Sequence, residues 1–415
     1  MSEYIIKGGK KVSGEVIISG SKNASLPIIA ATILNGGKTT LYNVPNIHDT
    51  KMMFEILKKI GGKVTKKNNK VIIDTSKISQ YEIPEDLMRQ MRSSVILAGG
   101  LVGKYRNATF SYPGGCDIGT RPIDLHLKAF EKLGINIRKN YGNISCTCDK
   151  IIGEKIDLDF PSVGATENAI LASCLAEGKT IITNAAREPE VTDLQNFLNK
   201  MGAKIKGAGS NQIEIEGVKY LKDVSYNIMP DRIETGTFLC IAAMTNGSIT
   251  LKNADSTHIT PVIDKLEEAG CKLEIQKNQI KIEAPKKLKA VNIKTMPYPG
   301  FPTDMQSIFA TSMTIAKGTS IIVENIFENR YKYTQELVRM GAKVNVEGKT
   351  AVIKGVRKLY GANVKATDLR GGASLVLAGI VAKGTTKIEN IEYILRGYEN
   401  FDQKLEKIGV NIVKR

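Results

Sequence analysis

The sequence contains an internal repeat of about 70 residues, and this repeat restricts the fold more than any other feature. Six times, a large apolar residue is followed at fixed spacing by a second apolar residue, a glycine and a β-prone aliphatic residue. The glycines are spaced 73, 68, 68, 71 and 68 residues apart: Gly61, Gly134, Gly202, Gly270, Gly341 and Gly409. We expect each copy to be the last turn of an amphipathic helix, ended by a glycine with positive φ and followed by a strand.

A second repeated element lies between these copies. An alanine-rich apolar segment leads to a glycine, a β-prone strand and an asparagine, as in "GKTTLYN" from 37 and "GSITLKN" from 247, and the copy at 103–110 is degenerate. Each repeat therefore reads as helix, strand, helix, strand and hairpin strand. The first helix is apolar nearly all round, which predicts burial between sheets, and the second has one polar face. Six repeats in 415 residues predict two domains of three repeats each.

The residues that open the six apolar helices are mostly polar. Helix capping explains part of this pattern, because Ser, Thr and Asp side chains accept hydrogen bonds from the first-turn N–H groups. We predict this role for Ser162, Asp231, Thr303 and Asp368.

Capping does not explain the cations at the same helix starts. A base at the positive end of a helix dipole costs stability unless an anion offsets it. Such bases recur at equivalent places, namely Lys22, Arg92, Arg232 and Arg370. If both domains direct their helix starts at one cleft, that cleft is positive and suits a phosphorylated ligand.

The net charge of +17 also favours an anionic partner. Lysines are scattered, tryptophan is absent and no nucleic-acid-binding motif occurs, so direct nucleic-acid binding is not expected. The longest apolar runs, 95–103 and 373–382, are about half a membrane span, and the N-terminus lacks the pattern of a signal peptide. We expect a cytoplasmic protein that does not associate with membranes. Three histidines and scattered cysteines leave too few ligands for a metal site.

The segment "PGGCDIGTRP", residues 113–122, has the composition of a hinged loop. Prolines fix φ at both ends and three glycines loosen the middle. Cys116 is expected to be exposed there with Arg121 nearby, which makes it a candidate for chemistry.

A longer set of motifs resembles the UDP-N-acetylglucosamine 1-carboxyvinyltransferase family of enolpyruvyl transferases. The motifs run from end to end of the chain and include "SGSKNASLPI", "PGGCDIGTRPIDLH", "DFPSVGATENA", "NAAREPEV", "FPTDMQS", "FENRY" and "RGYENFDQKL". The resemblance implies an α/β fold: a two-domain inside-out α/β barrel with three βαβαββ repeats in each domain. It implies an N-terminal domain of residues 21–229 that carries the catalytic loop 113–121. The C-terminal domain would comprise residues 1–20 and 230–415, with the active site in the interdomain cleft.

The family's reaction moves the enolpyruvyl group of phosphoenolpyruvate (PEP) to the 3′-hydroxyl of UDP-N-acetylglucosamine and releases phosphate through a tetrahedral ketal. By resemblance, Cys116 is the general acid that can also hold PEP covalently. Asp304 is the candidate base, with helix capping as the alternative. The resemblance places PEP at Lys22, Asn23, Arg121 and Arg396, and includes Lys22 and Arg396 in catalysis. Arginine suits this task because its planar fork pairs two oxygens at once.

For the nucleotide sugar the resemblance gives a longer set of contacts. They are Arg92, Arg121, Pro122, Ile123, Asp124, Leu125, Ser162, Val163, Gly164, Asp304 and Ile326, with Asp368 and Arg370 lining the cleft. Some family members carry lysine where Phe160 stands, so nucleotide binding is not extended to that position. His126 is interpreted equally well as a packing residue or a nucleotide contact. The glycines are expected to let the loop swing as a lid that brings the thiol and guanidinium over bound substrate. The family implies no cofactor, and a monomer is expected.

This resemblance also implies a place in peptidoglycan precursor synthesis, and with it in cell shape and division, and alkylation of Cys116 by fosfomycin. Two alternatives stay open. A 3-phosphoshikimate 1-carboxyvinyltransferase shares the repeats and the lysine, but it lacks the cysteine of the loop. A catalytically silent basic paralogue would lack the set Lys22, Cys116, Arg121, Asp304 and Arg396, which is intact here.

Overall fold

The computed structural model describes residues 2–112, 114, 119 and 123–415. Helices and strands alternate along this part of the chain as the repeat predicts. The α-helices are α1 (Lys22–Ala31), α2 (His48–Lys59), α3 (Glu85–Gln90), α4 (Ile96–Tyr105), α5 (Asp124–Lys132), α6 (Val163–Ser173), α7 (Pro189–Lys200), α8 (Arg232–Met244), α9 (Thr260–Glu268), α10 (Gln306–Met313), α11 (Tyr333–Arg339), α12 (Leu369–Val381), α13 (Glu392–Leu395) and α14 (Phe401–Lys407). Short 3₁₀ helices span Arg92–Val95, Ser256–His258 and Thr303–Met305.

The strands are short, and several pair as hairpins. They are β1 (Glu3–Lys7), β2 (Ser13–Ile17), β3 (Lys38–Tyr42), β4 (Lys63–Lys67), β5 (Lys70–Asp74), β6 (Asn107–Ser111), β7 (Asn136–Asn140), β8 (Asn143–Thr147), β9 (Lys155–Asp157), β10 (Lys179–Thr183), β11 (Lys204–Lys206), β12 (Gln212–Glu216), β13 (Val224–Asn227), β14 (Ser248–Lys252), β15 (Lys272–Gln276), β16 (Gln279–Glu283), β17 (Ile293–Lys294), β18 (Thr319–Val323), β19 (Lys343–Glu347), β20 (Thr350–Lys354), β21 (Asn363–Lys365), β22 (Thr385–Glu389) and β23 (Asn411–Lys414).

The chain forms two compact units. The N-terminal unit contains residues 20–112 and 123–229, and the C-terminal unit contains residues 2–19 and 230–415. The first two strands belong to the C-terminal unit, because β1 pairs antiparallel with β22 and β23 while β2 pairs parallel with β14. The chain passes from one unit to the other near residue 20 and again near residue 229.

The same small sheet recurs through the described residues. In five sheets of this part of the chain, two antiparallel pairings join three strands and a fourth, parallel strand completes the sheet, as in the orders β13-β3-β5-β4 and β15-β16-β14-β2, whereas the sheet β6-β8-β7 has three strands. The predicted helix-ending glycines all have positive φ, between 80° and 108°. Asparagines at the strand ends reach across to the parallel partner: the side-chain amide of Asn43 donates to the carbonyl of Ile228 at 2.9 Å, and that of Asn253 donates to the carbonyl of Ile18 at 2.8 Å.

The apolar first helices form the core of each unit, as their sequences predict. In α8 every residue is buried, and the same holds for all but the first two residues of α1. Gly99 and Gly100 let the N-terminal helices pack with their backbones close together. A Cβ at Gly100 would lie 2.7 Å from the Ala30 carbonyl oxygen of α1, and one at Gly99 would lie 2.8 Å from the Asn168 carbonyl oxygen of α6.

The fold is therefore α/β with two units, each built on three buried helices. None of the helices that the structure describes is long and apolar enough to cross a membrane.

Candidate active site

The start of α1 carries the first predicted substrate residue of the N-terminal unit. The Ser21 hydroxyl caps the helix by accepting from the Ala24 N–H at 3.2 Å. Lys22 is the first helical residue and Asn23 follows, both half-buried. The Lys22 ammonium forms an ion pair with the carboxylate of Asp49, the second residue of α2, with Nζ and Oδ2 3.1 Å apart. The structure thus gives this lysine an anionic partner from its own repeat.

The described nucleotide residues of the N-terminal unit lie at helix starts. Ser162 caps α6 as predicted, with its Oγ accepting from the Ala165 N–H at 3.4 Å, and Val163 and Gly164 form the first turn. Ile123, buried, precedes α5, which begins with the exposed Asp124 and the half-buried Leu125. Arg92 opens the 3₁₀ helix before α4 and is half-buried. First-turn N–H groups at such starts suit a diphosphate.

His126 joins these helix starts and is a packing residue in this structure. It is 6% exposed, and its Nδ1 lies 2.7 Å from the Asn168 side-chain nitrogen. The Asn168 side-chain oxygen accepts from the Gly99 N–H at 2.8 Å. Because the Asn168 amide is the donor to Nδ1, the ring proton resides on Nε2, the atom that lies beside Gly164.

Burial and the nearby Arg92 charge lower the pKa of His126 to about 4. The unfolded histidine has a pKa of about 6.5, so between these values the unfolded chain binds a proton that the folded chain excludes. We expect this group to lower the free energy of unfolding by about 2 kcal/mol as the pH falls from about 7 to about 5. Well above the unfolded pKa, the histidine is neutral in both states and does not change the free energy of unfolding.

Urea unfolding of the wild type and of His126→Gln at the two pH values measures this effect, and the variant should lose less stability on acidification. Buried carboxyls contribute with the opposite sign: burial raises the pKa of Asp193 to about 6, and burial together with Glu190 and Glu188 raises that of Glu167 well above its usual range. These carboxyls are present in both the wild type and the variant. The difference between the two proteins in stability lost on acidification therefore reports on the His126 imidazole alone. An equal loss of stability in the wild type and in His126→Gln would contradict the lowered pKa of His126.

In the C-terminal unit, Asp304 lies between two arginines. Its Oδ1 accepts from Arg330 Nη2 at 2.7 Å and its Oδ2 accepts from Arg370 Nη2 at 3.0 Å. Both arginine side chains are 3% exposed, whereas the Asp304 side chain is 28% exposed. Burial alone would lower the pKa of Arg370, but nearby anionic groups led by Asp304 outweigh it and raise that pKa. Asp304 thus forms ion pairs with two buried guanidinium groups.

Capping at these helix starts agrees with the sequence prediction in two of three cases. Asp231 accepts from the Ile233 and Glu234 N–H groups, and Asp368 accepts from the Arg370 and Gly371 N–H groups. The prediction for Thr303 is wrong, since its hydroxyl donates to the Glu324 carboxylate at 3.0 Å and Pro302 occupies the cap position. The Glu324 carboxylate, which directly follows β18, is the preferred partner.

Glu324 organises the segment that contains Ile326. Its buried carboxylate accepts from the Ile326 N–H at 2.8 Å and from the Thr295 hydroxyl at 2.8 Å. Ile326 is half-buried beyond the end of β18, and Arg396 is half-buried at the end of α13. Asp368 and Arg370, expected to line a cleft, are 4% and 2% exposed, and the Asp368 carboxylate is engaged in capping.

The idea that the helix-start cations lack a protein anion is wrong for two of them. Lys22 pairs with Asp49 and Arg370 pairs with Asp304, each within its own unit. The physical reason is that residues far apart in sequence supply the carboxylates. Arg232, 7% exposed, lies 5.8 Å from the ring centre of Tyr298.

Three predicted residues of the loop, Cys116, Arg121 and Pro122, lie outside the described residues, as does most of the expected lid. At Gly114, which is described, the glycine permits a close approach. Its N–H donates to the Met88 carbonyl at 3.2 Å, and a Cβ there would lie 1.8 Å from the Arg89 carbonyl oxygen. This residue fixes one point of the loop against α3.

Neither a metal centre nor a groove of the C-terminal unit adds to this site among the residues that the structure describes. In the part of the chain that the structure describes, no group of His, Cys, Asp and Glu side chains could hold a metal ion. A groove of about 530 Å³ in the C-terminal unit is lined by residues that include Lys294, Met296 and Phe301. It contains none of the predicted site residues.

Sequence reasoning missed Asp49 and Glu324 and quoted Arg330 only within a motif. Asp49 could have been found from its position at the start of the second helix of its repeat, because that helix start lies beside the start of the first helix. Arg330 lies close to the second helix of the fifth repeat, three residues before α11 begins. Glu324 directly follows a strand, which gave no distinct signal.

The comparisons with known proteins first define the class. Residues 6–405 match the EPSP synthase (3-phosphoshikimate 1-carboxyvinyltransferase) family. Two solved structures share the fold over 100% of this chain: the enolpyruvyl transferase NikO from Streptomyces tendae, with a TM-score of 0.90 at 24% identity over 98% of that chain, and an EPSP synthase from Acinetobacter baumannii, with a TM-score of 0.79 at 19% identity over 100% of that chain. The class is that of the enolpyruvyl transferases.

Curated relatives then narrow the class. A UDP-N-acetylglucosamine 1-carboxyvinyltransferase 2 from Caldanaerobacter subterraneus subsp. tengcongensis is 53% identical over 415 residues, which is 100% of both chains. A UDP-N-acetylglucosamine 1-carboxyvinyltransferase 1 from the same organism is 48% identical over 414 residues, also 100% of both. The chain belongs to the UDP-N-acetylglucosamine 1-carboxyvinyltransferase family.

Proposed function

We propose that this protein transfers the enolpyruvyl group of PEP to the 3′-hydroxyl of UDP-N-acetylglucosamine and releases inorganic phosphate. The observation that carries the proposal is full-length identity of about half with relatives of that name. The helix starts with Lys22, Arg92 and Ser162 support it, because both substrates are anions and these positions offer cations and first-turn N–H groups.

The proposed reaction is an addition followed by an elimination. Cys116 donates a proton to the methylene carbon of PEP while the sugar oxygen bonds to the neighbouring carbon, which gives a tetrahedral ketal. That methyl group then returns a proton to the Cys116 thiolate, the C–O bond to phosphate breaks and the double bond re-forms. Lys22, Arg121 and Arg396, with Asn23, bind the phosphate and carboxylate of PEP, where cations stabilise the developing charge.

For Asp304 the geometry suggests a refined role. A carboxylate that accepts from two guanidinium groups is a weak base. A carboxylate has about four lone-pair sites, so hydrogen bonds from two guanidinium groups are compatible with a further one from the sugar hydroxyl. We assign to Asp304 the orientation of this hydroxyl and the acceptance of its proton late in the addition.

The nucleotide is assigned to the neighbouring helix starts of the N-terminal unit. Ser162, Val163 and Gly164 offer backbone N–H groups for the diphosphate. The segment Arg121, Pro122, Ile123, Asp124 and Leu125, together with Arg92 and Ile326, is assigned to the nucleotide sugar. Asp368 and Arg370 complete the proposed site from behind Asp304.

We further propose a cytoplasmic monomer that acts in peptidoglycan precursor synthesis and is alkylated at Cys116 by fosfomycin. Cell shape and division would then depend on its product.

Phosphate release from PEP, measured with UDP-N-acetylglucosamine and in parallel with shikimate 3-phosphate, tests the proposed activity. We expect turnover with the nucleotide sugar and none above background with shikimate 3-phosphate. The reverse result would identify a 3-phosphoshikimate 1-carboxyvinyltransferase. The absence of turnover with both acceptors would favour a silent binding paralogue.

A further inference from the structure

The start of the second helix supplies the ion-pair partner of Lys22. Asp49 is the second residue of α2, and its side chain is 1% exposed, whereas that of Lys22 is 12% exposed. The N-terminus of α2 favours a carboxylate at this position, since the helix dipole is positive there. Lys22, at the equally positive start of α1, needs such an anion. The two helix starts therefore compensate each other through this pair.

The fifth repeat shows the same arrangement with the charges exchanged. Asp304 lies at the start of the first helical segment, and Arg330 precedes α11, the second helix. Their atoms are 2.7 Å apart, with side chains 28% and 3% exposed. In both repeats the residue in or just before the second helix is the more buried member of the pair. It lies behind the proposed substrate residue and leaves that residue the outer position.

We propose that Asp49 is a positioning residue that holds the Lys22 ammonium in place for PEP. The inference rests on the proposed function. An ammonium group has three donors, so an ion pair with one carboxylate is compatible with binding an anionic ligand as well. Lysine has a flexible four-carbon stem, and fixing it before the substrate arrives removes an entropic cost from binding. Asp49 would thus increase the affinity for PEP although it opposes the lysine charge.

The competing explanation is that Asp49 only stabilises the fold. A purely structural role predicts that loss of the carboxylate lowers the stability and changes the kinetics of both substrates alike. A positioning role predicts a selective effect on PEP. The chain offers a matched control in Asp402, the second residue of α14, which occupies the equivalent helix position in the sixth repeat and is half-buried.

Steady-state phosphate release from Asp49→Asn tests the inference. We expect the KM for PEP to rise about tenfold or more and the KM for UDP-N-acetylglucosamine to change less than about twofold. Asp49→Glu keeps the charge on a longer stem and should give an intermediate KM for PEP, which also serves as the test if Asp49→Asn does not fold. Asp402→Asn should resemble the wild type.

A second measurement asks whether Asp49 acts through Lys22. The increase in unfolding temperature caused by PEP, with UDP-N-acetylglucosamine present, should be small in Lys22→Met and no smaller in Lys22→Met/Asp49→Asn. An unchanged KM for PEP in the Asp49 variants, or a further loss in the double variant, would overturn the positioning role. A wild-type protein that releases no phosphate would overturn the proposed function as well. If the wild type is active and the Asp49 variants show no selective effect on PEP, only the positioning role of Asp49 is overturned.

Discussion

Replacing Cys116 with serine should abolish UDP-N-acetylglucosamine-dependent phosphate release, with turnover reduced by at least about a thousandfold. General acid catalysis contributes about 10² to 10⁴ to a rate, and a serine hydroxyl is a far weaker acid than a thiol. Cys116→Asp supplies a different acid and is expected to keep activity while resisting fosfomycin. Normal turnover in Cys116→Ser would remove the thiol from the mechanism, and loss of turnover in Cys116→Asp would mean that this site accepts no other acid.

Fosfomycin labelling followed by mass spectrometry provides the control for this variant. Burial raises the pKa of Cys146, Cys174, Cys240 and Cys271 to about 12, so their thiols are protonated and shielded at neutral pH. Cys148 is half-buried, and Cys148→Ser should keep both activity and labelling. We expect one modified residue in the wild type and none in Cys116→Ser. Labelling elsewhere would contradict the assignment.

Asp304→Asn should have the second largest effect, a fall in kcat of about 10² to 10⁴. The amide cannot accept the proton of the sugar hydroxyl. It also leaves Arg330 and Arg370, whose side chains are 3% exposed, without the charge that links them, and breaking a buried pair costs about 3 to 5 kcal/mol. The variant is therefore expected to unfold at lower urea concentration than the wild type.

Turnover of Asp304→Asn must be measured under conditions where urea unfolding shows that it is folded. Arg330→Lys, which keeps a charge but loses the planar fork, is a useful comparison, because it should lower stability more than kcat. A folded Asp304→Asn enzyme with wild-type kcat would exclude the proposed role. A wild-type urea midpoint would contradict the importance of the ion pairs for stability.

Much of the fold was predictable because its signals are local. A glycine with positive φ at the end of each second helix and an apolar first helix can be recognised within a few residues, and the structure confirms both. Capping by Ser162, Asp231 and Asp368 was also predicted correctly, since a cap bonds to its own first turn. Thr303 failed because Glu324, 21 residues away, competes for its hydroxyl.

The candidate site was predictable in position but not in its partners. The cations at the helix starts were identified, yet Lys22 and Arg370 were interpreted as uncompensated. Their carboxylates, Asp49 and Asp304, are 27 and 66 residues away in sequence, where no local pattern links them. The assignments of Cys116, Arg121 and Arg396 remain predictions that rest on the family resemblance.

The sequence by itself determined the repeat, the α/β class and the residue types at the helix starts, because helix ends, caps and apolar periodicity depend on neighbours within about one turn. The tertiary structure decided which charges meet. Packing the first and second helices of a repeat places Asp49 behind Lys22 and Arg330 behind Asp304. Burial then sets the strength of each interaction, since the energy of a charge pair depends on the distance and the polarity of its surroundings, and both arise only when the chain has folded.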